Sequence, residues 1–291
     1  MIICLKCKSE LRKENERYLC NSCGFRADII NGVVYFKPEI DETFESYNPN
    51  ALDVFYKYEK EHFWFKIRRD FILKIFSKYV KKSSLVMEVG TGTGNIAREL
   101  KNNGYDVVIS DVHKQFLDFE KNKIIEKRYQ FDVNEPPFED HFNAIGMFDV
   151  LEHTEEDEQV LKNIRKMLKD DGKIIITVPA HSWLWNKYDY SHKRRYNLKR
   201  IREIFKNSGF DILEAKHFFV SIMPLLFIRA LIERDNGNKD SADDLAEQQM
   251  AINPIINKIL YTILSLECKL IANISPKIGG SIIVVAQKSK N

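Results

Sequence analysis

Leu85-Val86-Met87-Glu88-Val89-Gly90-Thr91-Gly92-Thr93-Gly94-Asn95 decides the fold of this 291-residue chain. Its first five residues form a short, mainly apolar run of the kind buried on both faces of a parallel sheet. Gly90, Gly92 and Gly94 turn the backbone tightly and keep Cβ atoms out of the way of a ligand. Ile96, Ala97 and Leu100 then recur at helical spacing, and Asn102-Asn103-Gly104 stops the helix. The glycine spacing is not G-x-G-x-x-G, and no Lys-Ser/Thr follows as in a phosphate-binding loop. Glu88, just ahead of the first glycine, would repel a pyrophosphate and suits a cationic amino-acid group.

Working outward, the strand Asp106-Val-Val-Ile-Ser110 ends at Asp111, an acid placed to accept both hydroxyls of a ribose. Phe131-Asp132 follows a third candidate strand, where the acid could meet an adenine amino group. With these features the chain resembles the class I S-adenosylmethionine-dependent methyltransferases. Glu88-x-Gly90-x-Gly92-x-Gly94, Asp111 and Asp132 match that family's cofactor motifs in order and spacing, and the likeness covers roughly residues 62 to 287. It implies an α/β fold with a Rossmann-like seven-stranded sheet. It also implies S-adenosylmethionine as cofactor, with Asp149 added to the residues that hold it.

Composition bounds the remainder. A hydrophobic content of 44% is ordinary for a folded globule, and a net charge of +3 excludes a polycation. No run of 18 uncharged apolar residues occurs; the longest candidate, 218–231, carries Pro224 and Arg229. The first residues, Met-Ile-Ile-Cys-Leu-Lys-Cys, read as a metal motif and not as a leader, so a reducing cytoplasm is the expected home. Cys4-x2-Cys7 and Cys20-x2-Cys23 stand twelve residues apart, the pattern of two knuckles ligating zinc through four thiolates. A module this short lacks a core without a metal. Cys268 sits in an apolar helical pattern and reads as a packed thiol. The sequence thus divides into a zinc ribbon at 1–38, an acidic linker at 39–60 and a methyltransferase domain at 61–291. Similar ribbons precede other methyltransferases, and this one could brace the fold, grip a partner or bind RNA.

A second chemical centre is Asn143-Ala-Ile-Gly-Met-Phe-Asp149-Val150-Leu151-Glu152-His153, a fourth strand and the loop at its carboxyl end. In the resembled fold this loop lies by the transferred methyl. The acid-x-x-Glu-His pattern is similar to a metal motif of ubiquinone-pathway O-methyltransferases and of small-RNA 2′-O-methyltransferases. That likeness implies Mg2+ at Asp149, Glu152 and His153, with His181 or His192 as a further ligand. His153 as general base, helped by His192, is the alternative. Lys173-Ile-Ile-Ile-Thr-Val178 is a fifth strand, followed by His181, Trp183 and Trp185 on the same side. Between Lys187 and Lys206 there are eight Lys or Arg against two acids. Arg194 and Arg195 precede a helix and suit an anionic group, while Trp183 and Tyr196 could stack on a ring or base. On the preceding helix, Trp64, Phe65, Arg68 and Arg69 could border the same cleft.

Phe210 to Phe219 reads as the sixth strand and Ser281 to Gln287 as the last, an antiparallel pair at the sheet edge. Between them lies a helical insertion at about 220–278, apolar at both ends and polar over 235–246. It could cap the pocket, form a homodimer surface or touch a membrane. These readings together favour O-methylation of a small or carrier-linked acceptor bearing an anionic group, such as a glycan or quinone precursor. The alternatives are an RNA methyltransferase and a cofactor-binding, non-catalytic partner subunit.

Overall fold

The computed structural model describes residues 1–42, 50–189, 191–233, 251–271 and 274–290. The N-terminal module contributes strands β1 (Arg12–Glu14), β2 (Arg17–Leu19), β3 (Arg26–Ile30) and β4 (Val33–Tyr35). Next come α1 (Asn50–Glu59), α2 (Phe63–Tyr79), β5 (Leu85–Val89), α3 (Asn95–Asn102), β6 (Asp106–Asp111), α4 (Lys114–Asp118), β7 (Lys127–Gln130) and β8 (Phe142–Phe148). The C-terminal half adds α5 (Asp157–Met167), β9 (Leu168–Pro179), α6 (Leu198–Asn207), β10 (Phe210–Phe218), α7 (Met223–Ile232), α8 (Pro254–Ile271) and β11 (Ser281–Lys288).

The strands form one sheet in the order β1-β2-β3-β4-β7-β6-β5-β8-β9-β11-β10. From β7 to β9 all neighbours are parallel, while β11 runs antiparallel to both β9 and β10. The seven expected strands are therefore present, with β10 and β11 paired at the edge. β5 sits between β6 and β8, where the direction of winding reverses and a crevice opens at the strands' carboxyl ends.

Alternation along β5 feeds two cores. Met87 and Val89 pack on the face covered by α5 and α6, through Val160, Ile164, Ile201 and Phe205. Val86 packs on the other face, with Ile72 and Phe76 of α2, Leu100 of α3 and Leu264 of α8. The helical insertion is thus present as α7 and α8, and α8 rests on α2. Its polar stretch, 235–246, lies outside the described residues.

The structure differs from the sequence reading at the linker. Residues 50–59, taken as linker, are the helix α1. The N-terminal module is joined to the main sheet: β4 pairs in parallel with β7, Val33 opposite Arg128. Its three residues are all buried, so the module covers an edge that β7 would otherwise expose. Gln130 clamps the junction, accepting from Lys37 N at 3.0 Å and donating to Lys37 O at 2.8 Å.

Candidate active site

β5 delivers Glu88 to the crevice and then breaks into the glycine turn. Gly94 caps α3 in the left-handed region at φ 73°, and a Cβ there would stand 1.8 Å from Asn122 Oδ1. Gly92, at φ 51°, has nothing within 4 Å of its Cβ position. Gly94 is therefore demanded by packing, whereas Gly92 faces open space. Gly90 also has positive φ, at 70°, and its Cβ position is crowded by Val150.

Asp111 ends β6 with one oxygen turned back to this turn. Oδ2 accepts from Gly92 N at 3.2 Å and Oδ1 from His113 N at 3.1 Å. Asp132, just beyond β7, accepts from Asn134 N at 2.8 Å and is half-buried. Glu88 is 3% exposed, and its Oε2 is buried without a hydrogen-bond partner. Burial pushes the carboxyl up to about 8, against the opposing pull of Arg68. Glu59 of α1 meets the same turn. It accepts from Thr93 Oγ1, has a second oxygen that is buried without a hydrogen bond and 4.0 Å from Arg98 Nη2, and is raised by burial. Sequence reasoning missed Glu59 because its segment carries no strong pattern and was read as linker.

Leaving β8, Asp149 adopts φ 57° and is gripped from two sides. Arg68 Nη2 lies 2.8 Å from its Oδ2, and Thr177 Oγ1 donates to its Oδ1 at 2.9 Å. The three residues Asp149, Glu152 and His153 are therefore not assembled as one ion site. The donor groups that do converge are Glu152, His153 and His192, with one ligand atom each within 4.8 Å of the others. Glu152 is fully buried, neither carboxylate oxygen has a hydrogen-bond partner, and burial with Asp149 nearby raises it well above the usual carboxylate range.

His153 and His192 stand with ring centroids 4.8 Å apart, edge to face. His153 is exposed along one edge, yet desolvation and the neighbouring His192 hold it down at about 4. Its Nδ1 lies 3.1 Å from Ser191 O. A carbonyl only accepts, so Nδ1 carries the proton and Nε2 is left as the basic atom. His192 Nδ1 lies 2.7 Å from Asp189 Oδ1, and Asp189 is only 2% exposed. Burial would raise Asp189, but hydrogen bonding to His192 and the charge of Arg195 outweigh it and hold the acid low. Asp189 was visible as Asp-x-x-His, but nothing in that spacing marked it as buried.

The residues expected to hold a substrate divide. Trp183 is 48% exposed, stacks on His181 at 5.1 Å and meets Phe227 of α7 edge-on at 5.9 Å. Arg195 is not available as an anion clamp, because it forks onto Asp189 at 2.8 and 2.9 Å. Arg194 turns away to Glu155 O at 2.7 Å and to Asp157 at 3.3 Å. Tyr196 is 1% exposed and is a core residue, not a stacking platform. Trp64 stacks on Phe219 at 4.0 Å, which ties α2 to the insertion. At the other end of the sheet the four cysteines converge, Cys4 and Cys23 Sγ at 3.5 Å and Cys7 and Cys20 Sγ at 3.4 Å.

A family profile described as a methyltransferase domain matches residues 58–215, more than half of the chain. An uncharacterized methyltransferase of Staphylococcus carnosus is 28% identical over 170 residues, covering 55% of this chain and 74% of that protein. Phosphoethanolamine N-methyltransferase 2 of Caenorhabditis elegans is 24% identical over 237 residues, 76% of this chain and 53% of that protein, so the chain spans about half of that relative's length. Among solved structures, Haemonchus contortus phosphoethanolamine N-methyltransferase 2 in complex with S-adenosyl-L-methionine superposes with a TM-score of 0.56 at 17% identity, over 87% of this chain and 61% of that one. The strand order, the glycine turn between β5 and α3, and this family match have one reading: the chain belongs to the methyltransferase-domain family and is a class I S-adenosylmethionine-dependent methyltransferase.

Proposed function

We propose that the enzyme methylates a hydroxyl of a small or carrier-linked acceptor, with His153 taking the proton. Bound S-adenosylmethionine would supply an electrophilic methyl on a sulfonium. Glu88 suits its ammonium group, because a buried carboxylate oxygen without a partner has most to gain from a cation. Asp111 lies at the strand tip where ribose hydroxyls sit in this fold class, and Asp132 at the next tip suits the adenine edge. Gly90, Gly92 and Gly94 form the cradle, with Gly92 open to it. Asp149 closes the floor while held by Arg68 and Thr177.

His153 carries the proposal. Ser191 fixes its tautomer and leaves Nε2 free to accept a proton, while desolvation keeps the ring neutral at pH 7 at the cost of basicity, which Asp149 and Asp189 partly restore. The negative charges of Asp149 and Asp189 favour the imidazolium that forms, while His192, held beside Asp189, lies edge to face with the ring. The anionic group first expected on the acceptor loses its support, since Arg194 and Arg195 are engaged within the protein. A second reading, methylation of an amine, is favoured by buried Glu152, whose unpartnered carboxylate suits a cationic head group. A labelled-methyl assay over hydroxyl and amine acceptors, phosphoethanolamine among them, separates the two. His153→Gln should lower turnover by about 10²- to 10⁴-fold with S-adenosylmethionine affinity unchanged. Unchanged turnover would remove the histidine base.

The four cysteines are inferred to hold one structural Zn2+. Thiolates about 2.3 Å from a tetrahedral ion lie about 3.8 Å apart, close to the Sγ separations of 3.5 and 3.4 Å.

A further inference from the structure

α8 buries only one side. Leu264 and Glu267 face inward, and the Glu267 carboxylate accepts from Val220 N at 2.8 Å and Ser221 N at 2.6 Å. The opposite side carries Ile255, Ile259, Ile263, Leu266 and Leu270, exposed by 70, 52, 42, 56 and 68%. Intervals of four, four, three and four residues align them in one stripe along a helix about 27 Å long. α7 repeats the character, with Ile228 at 50% and Ile232 at 74% exposed. Monomeric soluble proteins rarely leave an apolar stripe of this length in water.

The charges select the covering phase. Glu267 is the only acidic residue within α7 and α8, and it is turned inward, while Lys258 and Lys269 of α8 are exposed. Among the described residues no helix is long and apolar enough to cross a membrane. An apolar stripe flanked by lysines, on a helix that cannot span, fits the plane of an anionic bilayer surface. The face also continues toward the carboxyl end of β9: Phe227 of α7 meets Trp183, which stacks on His181.

We propose that α7 and α8 dock this enzyme on an anionic lipid bilayer and that the acceptor is an amphiphile presented at that surface. The acceptor half rests on the active-site reading above; the docking half does not. The test is sedimentation of the full chain with phosphatidylcholine vesicles, with and without phosphatidylglycerol, set against the double variant Ile259→Asp/Leu266→Asp. The wild type should bind, and anionic lipid should strengthen binding about fivefold for each lysine at the surface. The variant should lose at least about tenfold, with its circular dichroism and its S-adenosylmethionine affinity unchanged. Failure of the site reading would appear as unchanged turnover of His153→Gln in the labelled-methyl assay and leave the vesicle result intact. Absence of wild-type vesicle binding, or equal binding by the variant, overturns the proposal. So does a wild-type dimer that the variant splits without any effect of lipid, which would make the face a subunit contact.

Discussion

Glu88 carries the clearest pH signature of any single residue. Its carboxyl titrates at about 8 in the free protein because burial opposes the charge. A carboxyl raised in the folded state favours folding while protonated, so its contribution is full below the ordinary value near 4.5 and is lost as pH rises through about 8. Pairing with an ammonium requires the ionised form. S-adenosylmethionine binding below pH 8 should therefore release about one proton, and affinity should weaken by up to tenfold per pH unit as pH falls. Calorimetry in buffers of different ionisation enthalpy reads that proton, and Glu88→Gln should abolish it. A release that survives the substitution would move the ammonium to another group, with Glu59 first in line. Asp189 is the structural counterpart. Asp189→Asn leaves Arg195 buried against a neutral amide and should cost about 3–5 kcal/mol in urea unfolding. A loss below about 1 kcal/mol would show that this pair is well solvated.

At the scale of elements, the β5–α3 turn and the N-terminal ribbon are the two tested units. Gly94→Ala drives a Cβ into Asn122, whose Nδ2 also donates to Phe116 O at 2.7 Å and Gly92 O at 3.0 Å. The substitution at positive φ should lower stability by about 1–3 kcal/mol and weaken cofactor binding with it, both visible in thermal melts with and without S-adenosylmethionine. The ribbon should carry one zinc per chain by elemental analysis. Cys20→Ser should remove it and lower the melting temperature of the whole chain, because β4 is hydrogen-bonded to β7. Loss of zinc with no change in that melting temperature would make the ribbon an independent module. α1 was illegible for a local reason. Its aromatic residues lack a clean helical stripe, and it is held by contacts from elsewhere, such as Tyr56 against Phe119 at 5.5 Å.

Across the whole molecule, the basic stretch 187–206 shows how sequence and structure part. Eight cations over twenty residues suggested an anion or nucleic-acid face. Folding brings Asp157, Glu158 and Asp189 against Arg194, Arg195 and Arg200, so much of that charge is neutralised within the protein. The basic track that RNA binding would need is weakened accordingly. What the sequence determined by itself was local: the glycine turn, the apolar strands, the cysteine knuckles and the acids at strand tips. Backbone sterics and hydrophobic periodicity act over a few residues, and those signals lie in the chain order. The tertiary structure alone decided which charges are spent. It committed Asp149 to Arg68 and Arg195 to Asp189, buried Tyr196, joined the ribbon to β7 and brought Glu59 onto the cofactor turn. Those outcomes depend on which distant segments meet and on how much water is left between them, quantities that no local pattern encodes.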